Sequence, residues 1–285
     1  MLLSEAFTEY VQIFVKPYQA SGTVRSFECA KKSFINYKDI ILDELTQEYV
    51  LQWQTTNIES GVSPNTIRGY TEKLRKVLRH FRAKGENCLS PDLVYSPRKI
   101  EKNPEYLTAK EVKQLIDEAL KKRHGRSKIS RYRTAAIISI LYSTGLRISE
   151  MCKLDIEHIK TPEVAIIGKY GRHRIVYLDP RTQYLIKEYL SLRADEHPAL
   201  FLSGYGHRLD PNKVRETFRC LSKFYGKQVH PHMLRHSYAT NLMSNGGHIF
   251  KVKELMGHSS IQSTSRYLHV TNPELKEAYT KYHSV

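Results

Sequence analysis

Across the first eighty-five residues apolar side chains recur at three- and four-residue intervals between turn signals, with no strand-like alternation of any length, so this region is expected to be helical. The clearest helix starts at Ser63-Pro64, a capping residue followed by proline in the first turn, and runs to about Lys84-Gly85. Ile67, Tyr70, Leu74, Leu78 and Phe81 fall on one of its faces, and Arg68, Arg75, Arg79 and Arg82 fall on another. From Glu86 to Glu105 the periodicity stops, three prolines appear and the pattern becomes that of an interdomain linker. Helical spacing resumes at Thr108-Ala-Lys-Glu111, a capping box ahead of Val112, Leu115, Ile116 and Ala119. Thr134 to Tyr142 is apolar on most sides, which predicts a buried helix closed by Gly145. The one sheet signal is Val164–Ile167 and His173–Leu178 around Gly168-Lys169-Tyr170-Gly171, a hairpin with Lys169 near its tip. Asp179-Pro180 and Asp210-Pro211 then open two further helices. The expected fold is mainly α with a small β-hairpin, an α+β chain of two domains, 1–85 and 106–285.

Composition adds a partner class. At 285 residues the chain has length for two ordinary cores, and 45 Lys and Arg against 29 Asp and Glu give a net charge of +16. The excess is uneven: +13 of it lies beyond residue 99. Nucleic acid is the first candidate for a polyanionic partner and an anionic membrane surface the second. No apolar run approaches the ~18 residues of a membrane span, and the amino terminus lacks a signal-peptide pattern, so a cytoplasmic protein is expected. Cys29, Cys88, Cys152 and Cys220 form no Cys-x-x-Cys pair and are expected as buried apolar residues. The densest basic segment, Lys121-Lys122-Arg123 through Arg133, is either a clamp on a nucleic-acid backbone or a solvated loop.

Candidate chemistry gathers near the end of the chain, in His230-Pro-His232-Met-Leu-Arg235-His236 and Gly257-His258 followed by Arg266-Tyr267. On a helix His232 and Arg235 share a face, and a guanidinium offers a planar fork for two phosphate oxygens. His232 and His236 also have the spacing of two metal ligands, with His230 as a third. Met233 stands where a zinc protease has its catalytic Glu, and Arg235 between the histidines opposes a dication, so a metal site is disfavoured. His230 and His236 are expected as hydrogen-bonded supporting histidines. Arg147, just past Gly145, either aims into a cleft or pairs with Glu150. Tyr267 is one of nineteen tyrosines, and its phenol needs nearby cations or a base to become a nucleophile.

Thr144-Gly-Leu-Arg147-Ile-Ser-Glu150, Gly168-Lys169, His232-Met-Leu-Arg235-His236, Leu255-Met-Gly257-His258 and Arg266-Tyr267 stand in an order and spacing that resembles the tyrosine recombinases, or phage-type integrases, of the simple Xer-like kind. The resemblance covers about residues 106 to 270, and 1 to 85 is similar, on weaker sequence grounds, to that family's helical, SAM-like core-binding domain. It implies a site-specific recombinase that cuts and rejoins double-stranded DNA at a target site through a 3′-phosphotyrosyl bond. Tyr267 would attack the phosphate, while Arg147, Arg235 and His258 hold its oxygens. His232 would handle the tyrosine proton and Lys169 would protonate the leaving 5′ hydroxyl. No cofactor and no metal are implied.

The implied tasks are integration or excision of a mobile element, or resolution of chromosome or plasmid dimers, by a homotetramer on synapsed DNA in the nucleoid. Arg68, Arg75, Arg79, Arg82, Lys121, Lys122 and Arg123 are candidates for contacts to the DNA backbone. The helix predicted from Asn272-Pro would dock on a neighbouring protomer or fold back on its own domain. Asn245-Gly-Gly-His-Ile-Phe250 departs from the family pattern, as does Ile175-Val-Tyr-Leu178, and the first departure is expected to change local flexibility. Two alternatives stay open: a DNA-binding protein that keeps the fold without catalysis, and a DNA-relaxing or telomere-resolving enzyme.

Overall fold

The structure, a computed structural model, describes residues 1–19, 21–101, 104–122, 127–168 and 173–257. It divides into two units, Met1–Lys102 and Asn103–Val285.

The first unit contains α1 (Leu3–Tyr10), which continues into a π-helical turn at Val11–Val15, then α2 (Ser21–Lys38), α3 (Gln47–Glu59) and α4 (Pro64–Ala83). Thr46 and Ser63 cap α3 and α4 through their hydroxyls, as short oxygen side chains do where the first helical N–H groups lack partners. The periodic apolar face of α4 is buried, and with Phe7, Phe34 and Trp53 it forms the core of this unit. Trp53 stacks on Phe34 with ring centroids 4.1 Å apart and donates its indole N–H to the Ser33 carbonyl.

The stretch that reads as a linker packs on this unit up to Glu101: Cys88 and Val94 join its core, and Gln54 Nε2 reaches the Tyr95 carbonyl at 2.7 Å. Arginines of α4 hold it down. Arg68 donates to the Pro97 carbonyl, Arg75 to that of Val94 and Arg82 to that of Cys88. An irregular segment cannot satisfy its own carbonyls, and here arginine forks do so in place of a second strand or helix. These three residues thus have structural work in addition to any DNA contact, whereas Arg79 and Lys76 are simply exposed.

The second unit contains α5 (Ala109–Leu120), α6 (Lys128–Thr144), the short α7 (Ile148–Met151), strands β1 (Glu163–Ile167) and β2 (His173–Tyr177), then α8 (Pro180–Ser191), α9 (Pro211–Tyr225), α10 (Pro231–Ser244) and α11 (Ile249–Met256). α6 is the central element: every residue from Thr134 to Leu141 is buried, and α5, α8 and α10 pack around it. The two strands pair antiparallel with Val164 opposite Val176 and Ile166 opposite Arg174. Val164, Ile166 and Val176 face the core, leaving Ala165, Ile167, Ile175 and Tyr177 exposed.

One expectation is corrected. Only Cys88 and Cys152 are buried; Cys29 and Cys220 lie exposed on α2 and α9, where the inward stripe is filled by phenylalanines and aliphatic residues. The Gly246-Gly247 departure makes a tight turn: Gly246 has φ +80°, and a Cβ on Gly247 would stand 2.6 Å from the Leu242 carbonyl oxygen. The turn folds α11 back on α10, so that Val252 and Met256 pack with Ala239 and Met243.

Candidate active site and nucleic-acid interface

Three arginines from distant parts of the chain converge on the last turn of α11. Arg235, on α10, donates to the Met256 carbonyl at 2.5 Å and to the Gly145 carbonyl. Arg174, on β2, donates through Nε to Leu255 at 3.1 Å, and Arg147, the residue before α7, reaches Gly257 at 3.3 Å. The final carbonyls of a helix have no intrahelical partner and carry its negative dipole end, so guanidiniums are the fitting donors there. Gly257, in the left-handed conformation at φ +60°, closes α11 at this cluster.

Glu150 completes the cluster. Its Oε1 accepts from Arg147 Nη1 at 2.9 Å and Arg174 Nη1 at 3.2 Å, while Oε2 accepts from the Arg147 backbone N–H at 2.8 Å and Arg174 Nη2 at 2.6 Å. Burial pushes this carboxyl up, but the bonds from Arg174 and Arg147 outweigh it and hold the group below the ordinary carboxylate range. Four formal charges leave a net surplus of two positive charges. Arg147, whose side chain is 37 % exposed, is the most open of the three arginines, whereas Arg235 is 2 % exposed and the Arg174 side chain 8 %.

The histidines divide as their burial dictates. His230 caps α10 by accepting the Met233 N–H on Nδ1, and buried His236 stands edge-on to exposed His232 with ring centroids 4.4 Å apart. Among the described residues no cluster of His, Cys, Asp or Glu is arranged as a metal site. Tyr238, on the same helix, lies against Gly145; burial pushes its phenol up to about 12, so it remains protonated at neutral pH despite Arg174 and Arg235 nearby.

Of the six sequence-predicted catalytic residues, the structure brings Arg147 and Arg235 together and puts His232 on the first turn of the helix carrying Arg235. Lys169, His258 and Tyr267, together with Arg123 and the helix expected from Asn272, lie outside the described residues. Arg174 was missed by sequence reasoning, because one arginine in a β-strand carries no sign of what it will meet. The exposed face of α9 was missed too: Arg215, Arg219 and Lys223 lie four residues apart and, with Lys227 and His230, line an open groove leading to the start of α10. In the basic segment, Lys121 pairs with Glu118, Arg131 and Arg133 donate to the Leu120 and Leu202 carbonyls, and Lys122 is exposed.

Residues 105–274 match the model of the phage integrase family. Tyrosine recombinase XerC of Thermodesulfovibrio yellowstonii is 28% identical over 279 residues, covering 93% of this chain and 91% of that protein. Two solved structures share the fold. The Tn1549 transposon integrase in complex with transposon right-end DNA has a TM-score of 0.81 at 17% identity, covering 100% of both chains. The XerH site-specific recombinase bound to a palindromic difH substrate has a TM-score of 0.75 at 21% identity, covering 99% of this chain and 85% of that one.

Proposed function

The chain belongs to the phage integrase family and is a site-specific DNA recombinase of the tyrosine type, and from this we propose how its residues divide the reaction. The single observation that carries the proposal is the arginine cluster at the end of α11: two guanidiniums of the sequence-predicted set meet at the point from which the chain runs on to His258 and Tyr267. Phosphodiester cleavage requires an in-line nucleophile, neutralisation of charge developing on the non-bridging oxygens and a proton for the leaving oxygen.

Arg147 binds one face of the scissile phosphate and Arg235 supports it from below, with His258 as a further donor. Tyr267 attacks, its O–P bond forming as the 5′ oxygen departs; His232 takes the phenol proton and Lys169 gives one to the leaving 5′ hydroxyl. The linkage energy is kept in the 3′-phosphotyrosyl bond, so rejoining needs no nucleotide. Residues 1–85 serve as the core-binding domain and 106–285 as the catalytic domain, and the protein works in the cytoplasm, at the nucleoid, as a tetramer on two synapsed duplexes. Its tasks are integration or excision of a mobile element or resolution of chromosome or plasmid dimers. Among the described residues no helix is long and apolar enough to cross a membrane.

A nicked suicide duplex carrying the target, incubated without metal, is expected to yield a protein–DNA adduct that survives denaturation with wild type and not with Tyr267→Phe. Absence of any adduct on a verified site would remove the catalytic reading and leave a DNA-binding protein. Two labelled duplexes in one reaction then separate exchange from relaxation.

The α9 face is assigned to the phosphate backbone. Binding that neutralises phosphates weakens linearly with the logarithm of salt, and each phosphate contact contributes about one to the slope. Arg219→Gln is expected to lower the slope by about one and to weaken specific and random duplexes alike. An unchanged slope in a salt titration would take Arg219 out of the interface.

A further inference from the structure

We propose that Arg174 is a positioning residue for strand cleavage, acting through Glu150 to set the fork of Arg147. The inference rests on the reading that Arg147 binds the scissile phosphate.

The side chains of Glu150 and Arg174 are largely withdrawn from solvent, 9% and 8% exposed, and Arg174 grips both carboxylate oxygens with its two terminal nitrogens. Such a bidentate pair fixes the plane of the carboxylate as well as its distance. Only one terminal nitrogen of Arg147 is then bound to Glu150, and its other terminal nitrogen is aimed at the Gly257 carbonyl. Without Arg174, an uncompensated buried carboxylate would draw the whole fork of Arg147 onto itself and cancel its charge. With Arg174 present the three groups carry a net +1, and that charge stands on the most exposed member.

The guanidinium also packs against the bare Cα of Gly257, where a Cβ would lie 2.9 Å from Nη1, and its Nε holds the Leu255 carbonyl. The same side chain therefore registers the helix end that leads to His258 against the arginine it orients. Its contacts lie on Glu150 and the backbone, which distinguishes it from the residues assigned to the phosphate.

The test uses the full-length protein in single-turnover cleavage of the nicked suicide duplex, alongside duplex affinity and thermal melting. Arg174→Met is expected to slow adduct formation about 10²-fold, the scale of loss from misplacing a reacting group by about 1 Å, with duplex affinity within about threefold of wild type. Arg174→Lys is expected to recover part of the rate. Combining Arg174→Met with Glu150→Gln is expected to be no slower than the worse single variant, since both act through one contact.

Wild-type cleavage by Arg174→Met, a loss matched by lost affinity, or losses that multiply in the double variant would each overturn the proposal. If Arg174→Met fails to melt cooperatively, Arg174→Lys decides: a rate loss at unchanged affinity supports the role, and a wild-type rate overturns it. A wild type that forms no Tyr267-dependent adduct would remove the phosphate reading itself, and this proposal with it.

Discussion

Arg235→Ala is expected to abolish strand cleavage and to loosen the second unit at the same time. Loss of one positioned donor to a developing oxyanion commonly costs ~10²- to 10³-fold in rate. From the sequence alone, Arg235→Ala and Arg147→Ala should both disable the enzyme without unfolding it. The structure separates them. Arg235 is 2 % exposed and joins the Gly145 carbonyl at the end of α6 to the Met256 carbonyl at the end of α11. Truncation orphans both oxygens in a buried place, at about 1 to 3 kcal/mol for each. Arg147 is more exposed, and its removal leaves the helix end with two of its three cationic donors. Arg235→Ala should therefore melt well below wild type, whereas Arg147→Ala should melt close to wild type while still failing to cleave. Equal melting temperatures for the two variants in scanning calorimetry would contradict the supporting role of Arg235.

Gly145→Ala should be nearly as damaging, through packing rather than charge. Gly145 holds φ +61°, a conformation that costs an L side chain about 1 to 2 kcal/mol, and an added Cβ would stand 2.8 Å from Cε1 of Tyr238. Forcing that ring out of a filled site adds about 1 to 3 kcal/mol. Because the Gly145 carbonyl accepts from Arg235, the shift is transmitted directly to a residue proposed to hold the phosphate. A fall in melting temperature of roughly 5 to 15 °C is expected on the usual relation between stability and Tm for a domain of this size. Tyr238→Leu in the same chain should recover the packing part and leave the backbone part. A Gly145→Ala variant with wild-type melting and cleavage would mean that the ring moves aside freely.

How much of this was legible beforehand depended on how local the signal was. Ser63-Pro64, Thr108 with Glu111, Asp179-Pro180 and Asp210-Pro211 act within one helical turn, and each marks the start of a helix in the structure. Gly145 was legible for the same reason. The packing of residues 86–101 was not legible because it comes from side chains of other elements, as when Arg75 meets the Val94 carbonyl or Gln54 that of Tyr95. The pairing of Arg147 with Glu150 was visible as an i, i+3 contact, but the second arginine on that carboxylate was not: Arg174 is 24 residues further on and arrives there by strand register. Likewise the basic face of α9 has an ordinary helical spacing, and only the groove beside α10 gives it a purpose.

The three arginines on carbonyls 255, 256 and 257 also act as a mooring. Tyr267 follows Gly257 by ten residues, and a chain of that length spans at most about 35 Å whatever path it takes. The proposed nucleophile is therefore leashed to the arginine cluster itself, with the leash counted from a fixed peg. Weakening any of the three moorings lengthens the leash without altering a single atom of the tyrosine, which makes the reach of the nucleophile a property of α11.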